Sequence, residues 1–319
     1  MIIKSIYLKK NYGGGTQVLN KVSEAISAQQ IYLFEPKLIS FFKNILFLKK
    51  NKSTKCICSD PIAGILLYIF RIDFIRFVQG KDTIYFDHDY SNFFNYIYKK
   101  LYRWSFKQDV IYNSEFIKNW ITDSFSDIKF IGKISPGTDY TSYNLQKEFD
   151  FIYVFRKYSW KNTKFFINHL NFFEKGERIV IINSDNLDLS YILNKSSAQI
   201  NIFNNVTTAE LNKVFCKSKY FISTTIDEGF GMPALEAMSS KCLPIVPNVG
   251  GTNDFCIDKT NSLLFKNNDP CSFKKVLNEA RNIDISDYQN MVEEAYSKSR
   301  NFTWDNTILN TLNLNEHFE

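Results

Sequence analysis

The chain is poor in the residues that hold metals and covalent bridges. Only 3 histidines occur in 319 residues, and none of the 6 cysteines forms a CxxC pair. Cys56 and Cys58 lie close together, while Cys216, Cys242, Cys256 and Cys271 are scattered. Such usage argues against a zinc framework and fits buried thiols in a reducing compartment. Long hydrophobic runs are missing too: the longest, residues 62–70, stops at Arg71 and is too short to cross a bilayer. The opening MIIKSIYLKK reads as a strand rather than a signal peptide, because its apolar part is brief and no cleavage site follows. A cytoplasmic location is therefore expected. Neither GxGxxG nor a P-loop is present, and no zinc-finger spacing, RNP-like motif or basic zipper appears. Nucleic acid is not an expected partner.

What is present suffices for two domains of ordinary size. Hydrophobic residues make up 45% of the chain, ample for two cores. Charge is unevenly placed: residues 1–147 hold 21 Lys+Arg against 12 Asp+Glu, a net of +9. The remainder holds 18 against 21, a net of −3. A basic first half points to an anionic partner there, and phospholipid headgroups or phosphorylated lipid carriers fit. Two stretches combine this charge with aromatics, KLISFFKNILFLKKNKSTK (residues 37–55) and FFNYIYKKLYRWSFK (residues 93–107). Each reads equally as an interfacial helix on anionic lipid or as a core helix with a solvated basic face. The net charge of this half favours the lipid surface.

Short apolar runs rich in β-branched and aromatic residues alternate with helical spacing, which predicts an α/β fold with parallel strands. Strands are expected at residues 2–8, 83–86, 109–112, 129–131, 149–155, 178–183, 199–203, 219–225 and 243–247. After the first strand comes KKNYGGG, then a helix from about Thr16. Gly13-Gly14-Gly15 reads as a tight turn or as a loop that admits phosphate. Ser114 is expected to begin a helix, and Asn162 to cap another.

The most informative segment is EGFGMPALE, with Glu228 and Glu236 separated by seven residues. It lies between two predicted strands, so its loop sits at a strand's carboxyl end, where open α/β sheets bind ligands. Pro233 suits the first turn of a helix. Gly229 and Gly231 let backbone approach a ligand, and the helix N-terminus offers free N–H groups. Glu236 lies about one turn in and leans back, so both carboxylates can face one molecule. Two such glutamates can also simply complement the helix dipole. In another loop, Arg156 and Lys161 can converge on one pyrophosphate, Arg as a planar fork and Lys as a point charge. A charged pair of this kind can equally be solvated.

The segment EGFGMPALEAMSSKCLPIVPNVGGTNDF resembles the E-x7-E signature of retaining, family-4-type glycosyltransferases of the GT-B fold. Arg156-x4-Lys161 agrees with the cationic loop of that family, except that Asn162 stands where Gly normally follows the Lys. The SPGTDY turn at residues 135–140 is similar to the family's Pro-x-Gly-x-Asp turn. The resemblance is specific over residues 150–305 and diffuse over 1–148. It implies two Rossmann-like domains facing across a cleft, residues 1–145 on the acceptor side and 146–302 on the nucleotide-sugar side. Residues 303–319 would form a Trp-containing helix packing back on the first domain, with Trp304, Ile308 and Leu312 along one face.

Carried over residue by residue, the resemblance implies that Glu236 holds the ribose hydroxyls of a nucleotide. Glu228, with the backbone around Phe230, Gly231 and Met232, would hold hydroxyls of the transferred sugar, and Gly229 and Leu235 would belong to the same donor site. Arg156 and Lys161 would neutralise the departing diphosphate, helped by backbone N–H groups of Gly14 and Gly15. Gln79, Asp87, His88 and Asp89 lie where the family places acceptor contacts, with His88 a catalytic candidate that Asp87 or Asp89 could orient, although a polar cluster after a strand is more often an ordinary turn. The implied activity is transfer from a nucleotide-diphosphate sugar to a glycan or lipid-linked glycan, without cofactor or metal, in bacterial surface-polysaccharide assembly. A glycosidase is rejected, since both carboxylates come from one helix start that favours their ionised form. The competing class is a non-catalytic partner that binds a sugar nucleotide or another transferase.

Overall fold

Two all-parallel six-stranded sheets organise the chain. The computed structural model describes residues 3–7, 14–34, 38–51, 55–81 and 100–314. It divides into one unit of Met1–Gly137 with Trp304–Glu319, and a second of Thr138–Thr303. Both are Rossmann-like α/β units, as the alternation of strand and helix signals predicts.

In the first unit the strands are β1 (Ile3–Tyr7), β2 (Gln29–Tyr32), β3 (Lys55–Cys58), β4 (Phe74–Val78), β5 (Val110–Tyr112) and β6 (Phe130–Lys133). Their spatial order is β2-β1-β3-β4-β5-β6. All five residues of β4 are buried, which is why it reads as a continuous apolar run broken only by Arg76. Helices α1 (Gly14–Ala25), α2 (Leu38–Lys50), α3 (Pro61–Ile69) and α4 (Glu115–Ser124) connect these strands. Asp60 caps α3 by accepting from the Ala63 N–H at 2.9 Å, with Pro61 in the first turn. Ser114 caps α4 in the same way. Both faces of α2 are informative. Phe41, Ile45 and Leu48 are buried in the core, while Phe42, Leu46 and Phe47 are 59%, 57% and 44% exposed beside Lys43, Lys49 and Lys50. The expected strand at 83–86 and residues 93–99 of the second basic stretch lie outside the described residues; residues 100–105 are helical.

The second unit contains β7 (Phe149–Phe155), β8 (Arg178–Asn183), β9 (Gln199–Asn204), β10 (Ser218–Ile222), β11 (Leu243–Pro247) and β12 (Leu263–Phe265). The order β12-β11-β10-β7-β8-β9 makes β7 and β10 neighbours although the chain winds outward from them in opposite directions. That reversal is the topological switch point, where doubly wound sheets open a crevice. Helices α5 (Thr163–Asn168), α6 (Thr208–Cys216), α7 (Met232–Ser239), α8 (Pro270–Asn282) and α9 (Ile285–Ser299) belong to this unit.

The units part at Gly137/Thr138, upstream of the expected 145. Hydrogen bonds explain the difference. Thr138 N donates to Phe302 O at 3.1 Å, and the Asn212 amide donates to Thr141 O at 3.1 Å, so this segment is tied to the second unit. The last helix, α10 (Trp304–Leu312), joins the first unit. Its buried face is Trp304, Thr307 and Thr311, not the apolar stripe of Trp304, Ile308 and Leu312, and Leu312 is 43% exposed. Thr307 Oγ1 donates to Ser135 O at 2.8 Å and Thr311 Oγ1 to Thr307 O. Small hydroxylated side chains allow close approach while satisfying themselves, which a hydrophobicity pattern does not register.

Candidate functional site

The two loops singled out in the sequence leave the two strands at the switch point of the second unit. Arg156–Asn162 follows β7, and the Glu228 loop follows β10. Strand pairing sets Ile222 beside Tyr153, so the loops emerge side by side. They are then stitched together. Ile226 N donates to Trp160 O at 2.8 Å, and Thr225 Oγ1 donates to the same carbonyl at 2.9 Å. Thr224 Oγ1 donates to the Lys161 carbonyl, and Thr163 Oγ1 to Arg156 O. With the backbones fixed, Lys161 Nζ forms an ion pair with Glu228 Oε2, both side chains about one-fifth exposed.

Arg156 is held differently. Its guanidinium pairs with Asp185 at 3.5 Å, and Asp185 also accepts from Lys157 N at 2.6 Å. Asp185, just past β8, was not anticipated; an acidic residue after a predicted strand was the available signal.

Glu236 sits one turn into α7, half-buried, with no hydrogen bond to its carboxylate among the described residues. Burial pushes this carboxyl up to about 7, opposed by the positive charges of Lys161 and Arg156. Lys161, whose charge acts on Glu236 in this way, is also the residue that pairs directly with Glu228. Tyr140, from the SPGTDY turn, also senses Glu236: burial first, then that nearby negative charge, raise its phenol.

The helix start supplies donors. Gly231 takes the N-cap position at φ 101°, which a side chain would strain, and a Cβ there would also meet Thr252 Cγ2 at 2.3 Å. The N–H groups of Gly231 and Met232 make no hydrogen bond among the described residues. Phe230 and Leu235 point the other way. Phe230 packs against Phe255 and Phe302, and Leu235 is fully buried with its N–H bonded to Gly231 O at 3.2 Å. Leu235 thus supports the helix and offers a ligand no free group, a correction to its place among the donor contacts.

A second loop braces this one from behind. Gly251 N donates to Glu228 O at 2.7 Å. A Cβ on Gly250 would lie 2.4 Å from that same carbonyl, and one on Gly251 would lie 2.2 Å from Gly229 O. The consecutive glycines after β11 were the legible sign of this approach.

Asn162 stands at the N-cap position of α5 but makes no side-chain cap, correcting the expectation. Its φ is 49° and its amide donates to Asn268 Oδ1 at 3.2 Å. The left-handed backbone is where glycine is favoured and asparagine tolerated, so the exchange of Gly for Asn preserves the turn.

The remaining candidates lie in the first unit. Gly14 and Gly15 open α1, and Gly15 O accepts from Gln79 Nε2 at 2.9 Å, while the same amide donates to Ser59 Oγ. Gln79 thereby ties the carboxyl ends of β3 and β4 to the start of α1. Asp87, His88 and Asp89 lie outside the described residues. Among the described residues no cluster of His, Cys, Asp and Glu could hold a metal ion, and no helix is long and apolar enough to cross a membrane.

Comparison with known proteins bears on this geometry. Residues 142–298, which include all four charged positions, match the family described as Glycosyl transferases group 1. An uncharacterized glycosyltransferase of Methanocaldococcus jannaschii is 25% identical over 121 residues, 38% of this chain. The match spans about a third, 34%, of the length of that curated relative. Among solved structures, a sucrose-phosphate synthase from Thermosynechococcus elongatus aligns with a TM-score of 0.78 at 12% identity, covering 99% of this chain and 98% of its own. Anabaena HepE in complex with UDP-glucose aligns with a TM-score of 0.79 at 12% identity, covering 99% and 100%. At such identity these likenesses are ones of fold.

Proposed function

We propose that the chain is a retaining glycosyltransferase that moves a sugar from a nucleotide-diphosphate sugar to a hydroxyl of a glycan acceptor. The observation that carries this reading is that the Arg156–Lys161 loop and the Glu228–Glu236 segment leave the paired strands β7 and β10 side by side, where Lys161 forms an ion pair with Glu228. Two cations suit a diphosphate, and two carboxylates suit the hydroxyls on either side of it. In this reading Glu236 accepts from the ribose and Glu228 from the transferred sugar, while the free N–H groups of Gly231 and Met232 reach oxygen atoms between them. Negative charge grows on the diphosphate as the glycosidic bond breaks. Preorganised Arg156 and Lys161 stabilise that state more than the ground state, which is the source of rate. They occupy the role a divalent cation plays elsewhere, so the proposed reaction is metal-independent.

Retention of configuration rests on the E-x7-E resemblance. A lipid-linked acceptor, a cytoplasmic setting at the membrane and a role in surface-polysaccharide assembly rest on the basic first half and the exposed face of α2. A non-catalytic nucleotide-binding partner would have no need of the whole charged set, which favours the enzyme. Thermal shift against UDP-, GDP- and dTDP-sugars tests the donor, beginning with UDP-glucose because HepE binds it. Stabilisation by one of them, with nucleotide release that persists in excess chelator, is the expected result. No shift with any sugar nucleotide overturns the reading.

A further inference from the structure

The first unit contains a second concavity, at the opposite end of its sheet from Gln79. Arg71, Ile72 and Asp73 precede β4 and Gln79 follows it, so the two regions are about 17 Å apart along the strand. The cleft, about 460 Å³, is lined by Tyr68, Ile69, Arg71, Asp73, Trp104 and Gln108. Tyr68 and Trp104, each half-buried, form a tilted pair, ring centroids 5.9 Å apart and planes inclined at 36°. Arg71 is fixed by a tight exit from α3, at φ 56°, with its N–H donating to Tyr68 O and Ile72 N to Leu67 O, each at 3.0 Å. Neither the Arg71 guanidinium nor the Asp73 carboxylate makes an ion pair among the described residues, though both are exposed on one rim.

This combination selects a chemistry. Two aromatic faces want a flat apolar surface. An unpaired cation and an unpaired anion on the rim of one cleft disfavour a ligand of either net charge, because one of the two would always repel it. Both are satisfied by a molecule whose rim carries hydroxyls, which accept from Arg71 and donate to Asp73. A pyranose has that form, with C–H faces and a hydroxyl rim. We propose that this cleft is a second carbohydrate site, which takes a neutral segment of glycan at a distance from the site of transfer. Such a site would retain a growing chain between turnovers, and it rests on the reading that the protein handles glycans.

A printed array of neutral and acidic oligosaccharides tests it, using the full chain and the variants Asp73→Asn, Arg71→Asn and Trp104→Ala. The expected result is retention of neutral glycans by the parent chain and about tenfold weaker retention by each variant. The thermal shift with UDP should be unchanged in all of them. Arg71→Asn keeps a residue that tolerates the left-handed backbone, and with Asp73→Asn it decides the matter if Trp104→Ala fails to fold. No retention of any neutral glycan, retention of acidic glycans alone, or equal retention by parent and variants overturns the proposal. Failure of the transferase reading looks different: sugar nucleotides neither shift nor turn over, whatever the array shows.

Discussion

Lys161 and Glu228, 67 residues apart in sequence, neutralise one another in an ion pair at the carboxyl ends of two adjacent strands. If Lys161 serves a diphosphate, that ligand must take it from Glu228, which then turns to the sugar. Binding the nucleotide and freeing the sugar-binding carboxylate become one event.

Glu228→Gln should therefore separate binding from turnover. UDP affinity, measured by calorimetry, should rise by about threefold to tenfold because the competing carboxylate is gone. Sugar transfer should fall by about a hundredfold or more. Lys161→Ala should lose both. Weaker UDP binding by Glu228→Gln would show that the pair is not displaced.

Glu236 gives a pH dependence. Its folded value, about 7, lies above the ordinary 4.5, so the neutral form is favoured on folding. The associated stability is fully present below about 4.5 and is lost as pH rises through about 7. Glu236→Gln should stabilise the protein above neutrality by on the order of 1–3 kcal/mol and have little effect in acid. Nucleotide binding should run the other way in the parent protein, strengthening as the carboxylate ionises and accepts the ribose hydroxyls. Chemical denaturation and UDP titration at several pH values check both signs.

Gly251→Ala probes the brace behind Glu228. Its new methyl would meet Gly229 O at 2.2 Å, a backbone atom that can yield only if the Glu228 loop moves. Turnover should drop by about tenfold to a hundredfold, since small displacements of a preorganised group are costly, while circular dichroism stays native. Normal turnover would show that the loop has slack.

The outer face of α2 is open to a vesicle test. Replacing Phe42, Phe47, Lys43, Lys49 and Lys50 by Ser should weaken cosedimentation with anionic vesicles by about tenfold or more, and added salt should do the same to the parent chain. UDP binding should be unaffected. Equal binding before and after the substitutions would leave this face without a lipid role.

Much of this was legible locally. Strand and helix signals are properties of neighbouring residues, so the α/β alternation, the Ser114 cap and the loop–helix character of residues 228–236 could be read directly. Gly231 was legible as a point of close backbone approach, whereas its left-handed φ of 101° came from the structure. Pairwise meetings were not legible in that way. The bond of Lys161 to Glu228, the hold of Asp185 on Arg156 and the pressure of Gly250-Gly251 on residues 228–230 depend on which strands lie side by side. The order β12-β11-β10-β7-β8-β9 decides that, and no local pattern encodes it. The same holds for α10, where threonines face inward because a neighbouring helix comes close, and for Glu236, whose raised carboxyl reflects burial by residues remote in sequence. Sequence alone determined the α/β character and which charges are available, although β2, β3, β4 and β12 were not among the strands its local signals marked. Tertiary structure decided which of them meet, because desolvation and ion pairing act through space and are set only once the sheet has chosen its neighbours.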